Sequence, residues 1–319
     1  MGDSHRTYPL LDIAKLIMSF LVVGIHVGKI SDYPYPSVIE FCNRIAVPFF
    51  FVASGFFIYG KAVKGELGKA LLKYLKLYIT WVIVYLPFAV LYYFSSRYSV
   101  GDSLIDWLKC IVVTGEPPVA WHLWYVHSLI VSIVLITLFL ARVDGNKVRK
   151  STTVLWIASL LILVIRITCD KTGLCKTPDF MVILAMDGYQ NALFGGLPLI
   201  LTGMMLSAFE INNRSFKWIF YVASVLIGYC LFTWDIYLFG LITSSAIVIY
   251  CLSAHCPDKD TSVIRDLSKY VFFIHLIIVF LLRGRIDNVY LFWMASIAMS
   301  LFASAAIIYI KRKFNISFI

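Results

Sequence analysis

A chain of 319 residues that is 61% apolar, 16% aromatic and only 14% charged is too hydrophobic for an ordinary water-soluble domain and reads as an integral membrane protein. Its 28 Lys and Arg against 18 Asp and Glu would suit a nucleic-acid partner in a soluble protein. A polytopic membrane protein gains the same excess through basic cytoplasmic loops, so nucleic acid is excluded as a partner.

The first apolar run, from about 8 to 28, is long enough to cross a bilayer and has no small-residue cleavage site after it, so a retained span is expected rather than a removed signal. Asp12, Lys15, Ser19 and His26 interrupt it. At 100° per residue these four side chains fall within about 60° of one another, one polar stripe on an apolar cylinder. An ionisable group near mid-bilayer costs roughly 2.5 to 3.5 kcal/mol, so the stripe should face protein or water rather than lipid. Asp12 and Lys15 equally suit a pairing among cytoplasmic headgroups. His26 lies about 16 Å further along the axis than Lys15. It is either a working imidazole or a structural histidine bonded to a backbone carbonyl.

Further span-length runs lie at about 39 to 60, 77 to 95, 122 to 141, 152 to 168, 188 to 208, 217 to 233, 236 to 254, 267 to 283 and 289 to 310. Together they predict an all-α polytopic membrane protein of about ten transmembrane helices, a single membrane domain over 1–319 without an internal repeat. Alternate connections collect most of the basic residues, including Lys61, Lys64, Lys69, Lys73 and Lys76, then Arg142, Lys147, Arg149 and Lys150, and finally Lys311 to Lys313. That side is expected to be cytoplasmic, with both termini on it.

In the second run Arg44 stands just before VPFFF and should pair with an acid or bind substrate. Pro48, Ser54 and Gly55 in the same run are expected to kink and thin the helix so that the first span can approach it. Lys69, Lys73 and Lys76 share one face where the chain enters the third run. The connection from 95 to 120 holds an apolar segment, 104–113, too short to cross, read as an interfacial or re-entrant helix over a cavity and ended by Gly115, Pro117 and Pro118. His122 and Trp124 open the fourth span on the external side, where they suit an acceptor wall or an aromatic belt. Cys169 and Cys175 share a predicted external loop, as a disulfide or as two free thiols. The cysteines show neither zinc spacing nor a CxxC pair, and no metal is expected.

The run LDIAK with a histidine eleven residues after its lysine, NRIAVPFFFVASGFF at 43–57, HLWYV at 122–126, LPLILTGMML at 197–206 and SKYVFFIH at 268–275 resemble, in order and spacing, the membrane-bound acyltransferase family 3. The resemblance is to its short VPFFF subgroup, which is related to the membrane half of vancomycin-resistance serine racemases. It implies a ten-helix enzyme of the cell membrane that passes an acyl group, usually acetyl, from cytoplasmic acyl-CoA to a hydroxyl of an extracytoplasmic acceptor such as a surface glycan or lipid-linked sugar. In that scheme His26 is catalytic. Lys15, Lys69, Lys73 and Lys76 stand where cations, more often arginines, hold the coenzyme. Arg44, His122 and Trp124 border the acceptor, while Asp12, Ser54, Gly55 and His275 are either structural or without an assigned role. The rival reading is a carrier of a small polar solute such as serine.

Overall fold

The computed structural model describes residues 8–28, 38–95, 99–172, 195–209, 218–232, 235–254, 256 and 259–315. They form eleven helices: α1 (Pro9–Val27), α2 (Val38–Val63), α3 (Leu67–Phe94), α4 (Val100–Lys109), α5 (Trp124–Leu140), α6 (Val148–Thr172), α7 (Leu197–Ala208), α8 (Trp218–Phe232), α9 (Ile236–Ser253), α10 (Ser262–Leu282) and α11 (Val289–Lys313). No strand occurs among the described residues.

Among these residues seven helices, α1, α2, α3, α5, α6, α9 and α11, are long and apolar enough to cross a membrane, rather than the ten expected. The remaining three runs differ for identifiable reasons. Only 12 residues of the run at 188–208 form α7, the part from 188 to 194 lying outside the described residues. In α8 the apolar helix has 15 residues. Helix α10 has 21, but Arg265, Asp266 and Lys269 charge its first turns. Large apolar side chains on the outer faces, such as Ile17, Ile83, Leu138 and Phe302, are exposed, as lipid contact requires.

The described chain divides into two compact units. The first holds α1, α2 up to Phe50, α8, α9 from Leu238, α10 and α11. Its centre is the packing of α1, α10 and α11, where Val23, Val27, Val271, Val279 and Phe292 form a buried apolar cluster. Helix α11 presents Ser296, Ser300 and Ser304, all fully buried, at four-residue spacing, and such small residues let helices approach in lipid. Interhelical hydrogen bonds add to that packing. Thr261 Oγ1 donates to Asp12 Oδ2 at 2.7 Å, and Trp293 Nε1 donates to the Phe20 carbonyl at 3.2 Å. In bilayers each such bond averages about 0.6 kcal/mol, so they align helices more than they hold them together.

The second unit runs from Phe51 through α7 and takes Asp235–Tyr237. Helices α2 and α3 are joined by a tight turn in which Gly65 takes φ +69 and the Glu66 N–H reaches back to the Lys61 carbonyl at 2.8 Å. That geometry closes the last turn of α2, and glycine adopts the left-handed backbone without steric penalty. The carboxylate of Glu66 bridges Lys61 at 2.9 Å and Lys69 at 2.6 Å. Those two hydrogen bonds and charges hold its pKa down at about 2.

Gly55 does not make room for the first span, as its sequence position had suggested. A Cβ on Gly55 would lie 2.0 Å from the Ile200 carbonyl oxygen, and one on Gly203 would lie 1.9 Å from that of Val52, so these glycines bring α2 and α7 into backbone contact. The close approach of α1 to α2 is made at Gly24, whose added Cβ would strike the Asn43 amide at 2.6 Å.

The short helix is present, starting at Val100 rather than 104. Ser99 caps it by accepting from the Asp102 N–H at 3.1 Å. After Lys109 the chain widens into a π-turn, Cys110–Thr114, and stops at Gly115 with φ +74. The Tyr78 hydroxyl donates to the Ile111 carbonyl at 2.9 Å, while His127 Nε2 donates to that of Val112 at 3.0 Å. Both tie the segment to α3 and α5. The space it encloses with α3, of about 380 Å³, is apolar and lined by residues such as Leu86, Ala89, Val90, Leu104 and Trp107.

Candidate active site

The polar stripe of α1 faces protein, as the insertion cost demands. Asp12 and Ser19 are buried, whereas Ile13 and Ile17 on the opposite face are exposed. At one end Asp12 is a hub. Besides the Thr261 bond, it lies 3.5 Å from Lys15 Nζ and 3.5 Å from Arg265 Nη1. Lys15 is thus tied to a carboxylate in its own helix. The Asp12–Lys15 pairing foreseen among headgroups occurs, with Thr261 and Arg265 of the α10 entry completing it.

At the other end of α1, His26 meets His275. Their ring centroids are 5.1 Å apart and the planes are tilted by 38°. Helices α1 and α10 lie side by side, which brings residues 249 positions apart in sequence into one site. His275 is fully buried, and its Nδ1 lies 2.7 Å from the Phe272 carbonyl. A carbonyl only accepts, so this Nδ1 carries the proton, and the opposite nitrogen of a neutral ring is then a lone-pair acceptor. The His26 ring is partly buried and makes no hydrogen bond among the described residues. The backbone carbonyl bond that would mark a structural histidine belongs to His275, not to His26.

One guanidinium group contacts this pair, and a second stands on α2 next to Asn43, the residue that Gly24 of α1 packs against. Arg283, just past the end of α10, donates through Nη2 to the His26 carbonyl at 3.3 Å and lies over the Phe280 ring, 5.6 Å from its centroid. Arg44 lies near enough to act electrostatically on His26 and is exposed. Pro48 has no N–H to give to the Arg44 carbonyl, which loosens the turn of α2 that carries Arg44. The sequence raised two partners for Arg44, an acid or a substrate, and no carboxylate lies within 4 Å of it among the described residues.

The other expected site residues lie in the second unit. His122 is buried and packs against Tyr85, with ring centroids 5.4 Å apart, inside the turn that precedes α5. Trp124 packs on Phe51 at 6.0 Å. Ser54 bridges helices, with Oγ 2.9 Å from the Tyr125 hydroxyl. Lys69 is committed to Glu66. Lys73 and Lys76, further along α3, are exposed and make no ion pair among the described residues. Glu116, outside the spans, has its carboxyl pKa raised by burial. Cys169 is disulfide-bonded, and Cys175 lies outside the described residues. No cluster of His, Cys, Asp and Glu suited to a metal occurs among the described residues.

Sequence reasoning placed His26 at a site but assigned its neighbour to packing. Arg283, in the connection after α10, carries no signal in the sequence that would place it beside His26. The SKYVFFIH run was the available signal, because a histidine in an otherwise apolar span is costly unless another polar group meets it.

The described residues thus place a histidine pair on the adjacent helices α1 and α10, with the Arg283 guanidinium bonded to the His26 carbonyl. The comparison of families decides the class. Residues 8–312 match the model of acyltransferase family 3, described as an acyltransferase domain, and the chain belongs to that family. Two amino-acid racemases of Enterococcus faecalis are each 25% identical to it, over 47% and 49% of this chain, and a serine/alanine racemase of Enterococcus gallinarum is 26% identical over 48%. The match spans only 22% of each of these relatives. No solved structure matches the chain.

Proposed function

We propose that this protein is a membrane-bound O-acyltransferase of the cell membrane, with both termini cytoplasmic, that moves an acyl group, acetyl in the simplest case, from cytoplasmic acyl-CoA to a hydroxyl on the opposite side. The observation that carries this reading is the His26–His275 pair in a chain of acyltransferase family 3. A sugar hydroxyl is a weak nucleophile until its proton leaves, and a positioned imidazole commonly contributes about 10² to 10⁴ in rate. In the proposed step the hydroxyl oxygen attacks the thioester carbonyl as His26 takes its proton. The C–S bond then breaks, and His26 returns the proton to the coenzyme thiolate. His275 acts as a positioning residue. Its tautomer is set by the Phe272 carbonyl and its ring limits how the His26 imidazole can turn.

Acyl-CoA brings a pyrophosphate and a ribose phosphate, which call for cations. Lys73 and Lys76 are the readiest, because neither is consumed by an acid. Lys15 and Lys69 serve only if coenzyme competes with Asp12 and Glu66. The glycan or lipid-linked sugar acceptor is placed at the His26 end, with Arg44 beside it. His122 and Trp124 contribute less directly, since each is packed against an aromatic ring.

A second reading is supported by the names of the relatives. The relatives named as racemases share this region over about a fifth of their length, and names that point to an amino acid favour a carrier of serine as the alternative for this chain. One preparation tests both readings: free coenzyme A released from acetyl-CoA across a panel of hydroxyl acceptors, and serine uptake into liposomes without any thioester. Release that His26→Ala abolishes supports the transferase. Thioester-independent uptake with no release overturns it.

A further inference from the structure

The unit that contains the histidine pair carries three exposed arginines at the His26 end, Arg44 on α2 and Arg283 and Arg285 after α10. Arg285 bonds the Leu281 carbonyl, and Arg283 bonds that of His26. Neither bond neutralises a charge. None of the three arginines makes an ion pair with an acid among the described residues, although Asp287 follows Arg285 closely in sequence. This differs from the opposite end of α1, where Asp12 takes both Lys15 and Arg265. Exposed guanidinium groups with no acid partner are open to an oxyanion from elsewhere.

We infer that the acceptor carries an oxyanion, a phosphate ester or carboxylate close to the hydroxyl that is acylated, and that Arg44 and Arg283 receive it beside His26. This rests on the acyl-transfer reading and narrows its substrate class from any hydroxyl compound to an anionic one. Guanidinium groups suit the task, since each can donate two parallel hydrogen bonds to one oxyanion. Arg283 is anchored through one nitrogen to the backbone of the residue whose side chain would take the hydroxyl proton, so an anion held there sets the hydroxyl at a fixed distance from the imidazole. The phosphate of a bilayer headgroup offers the same chemistry, and the experiment separates the two sources.

The full-length protein is purified in a maltoside detergent, which has no phosphate, and titrated with sn-glycerol 3-phosphate in the absence of coenzyme. Binding is followed by ³¹P line broadening, with glycerol as a neutral competitor. Saturable binding that weakens about tenfold or more in Arg44→Gln and Arg283→Gln supports the inference. Arg44→Lys keeps the charge without the paired donors, is the milder change for folding, and should weaken binding by a smaller factor. Acetyl-CoA is then added, and coenzyme release should be faster with glycerol 3-phosphate than with glycerol. Equal release with both compounds and no effect of the arginine variants on binding would overturn the inference while leaving acyl transfer standing. Loss of binding in Lys73→Ala instead, or phospholipid retained in proportion to the arginines and not displaced by glycerol 3-phosphate, would also overturn it. Binding that depends on the arginines without any thioester consumption keeps the anion subsite and rejects acyl transfer.

Discussion

The imidazoles of His26 and His275 lie 5.1 Å apart, ring centre to ring centre, on the adjacent helices α1 and α10. If His275 positions its neighbour, His275→Ala should lower kcat by about 10- to 100-fold with little change in KM, because the loss falls on the transition state. His26→Ala should remove turnover entirely and leave coenzyme binding intact. Equal losses in kcat and thermal stability for His275→Ala would return that residue to a packing role.

The lysines of α3 make a separable prediction. Lys73→Ala and Lys76→Ala should each raise KM for acetyl-CoA, by a factor that shrinks as salt is added, since exposed charges are screened over about 8 to 10 Å at physiological ionic strength. Lys69→Ala should do less, because its ammonium is already bound to Glu66. Identical kinetics in all three variants, with normal expression, would leave these residues as topology signals only.

Backbone contact between α2 and α7 is intolerant of a single methyl group. Gly203→Ala places a carbon 1.9 Å from the Val52 carbonyl oxygen, so the helices must separate at a cost of about 1 to 3 kcal/mol. Gly60→Ala, which meets nothing within 4 Å, is the control. Thermal denaturation in detergent should show a lowered midpoint for the first and none for the second.

Acid should weaken the α2–α3 turn. The folded-state pKa of Glu66, about 2, lies below the ordinary 4.5, so its stabilising contribution is present in full above about 4.5 and is lost as pH falls toward 2. Glu66→Gln abolishes that dependence. The difference in melting midpoint between the two proteins should be constant from neutral pH down to about 5.5 and narrow below it.

Orientation is read by accessibility. A cysteine introduced at Ser99, the cap of α4, should react with an impermeant reagent added outside, and one at Asn146, between α5 and α6, should not. Measurement in whole cells of a variant without its exposed Cys230 settles the sign, and the reverse pattern would invert the topology.

Much of this molecule was legible in one dimension because a bilayer enforces simple rules. Apolar runs of span length must become helices, since lipid offers no partner for a backbone N–H or C=O. The same cost of exposing charge made the stripe of Asp12, Ser19 and His26 predict its own burial direction, while the glycine of the following turn marked where the π-turn after α4 stops at Gly115. Partners were another matter. That Gly55 meets the Ile200 carbonyl rather than the first span, that Asp12 takes Thr261 and Arg265, and that His275 meets His26 all depend on which helices lie side by side. In lipid the apolar surface of a helix does not choose its neighbour, because the tails are as apolar as any side chain. The choice falls to a few close backbone contacts and hydrogen bonds between residues up to some 250 positions apart, and no local pattern in the sequence records them.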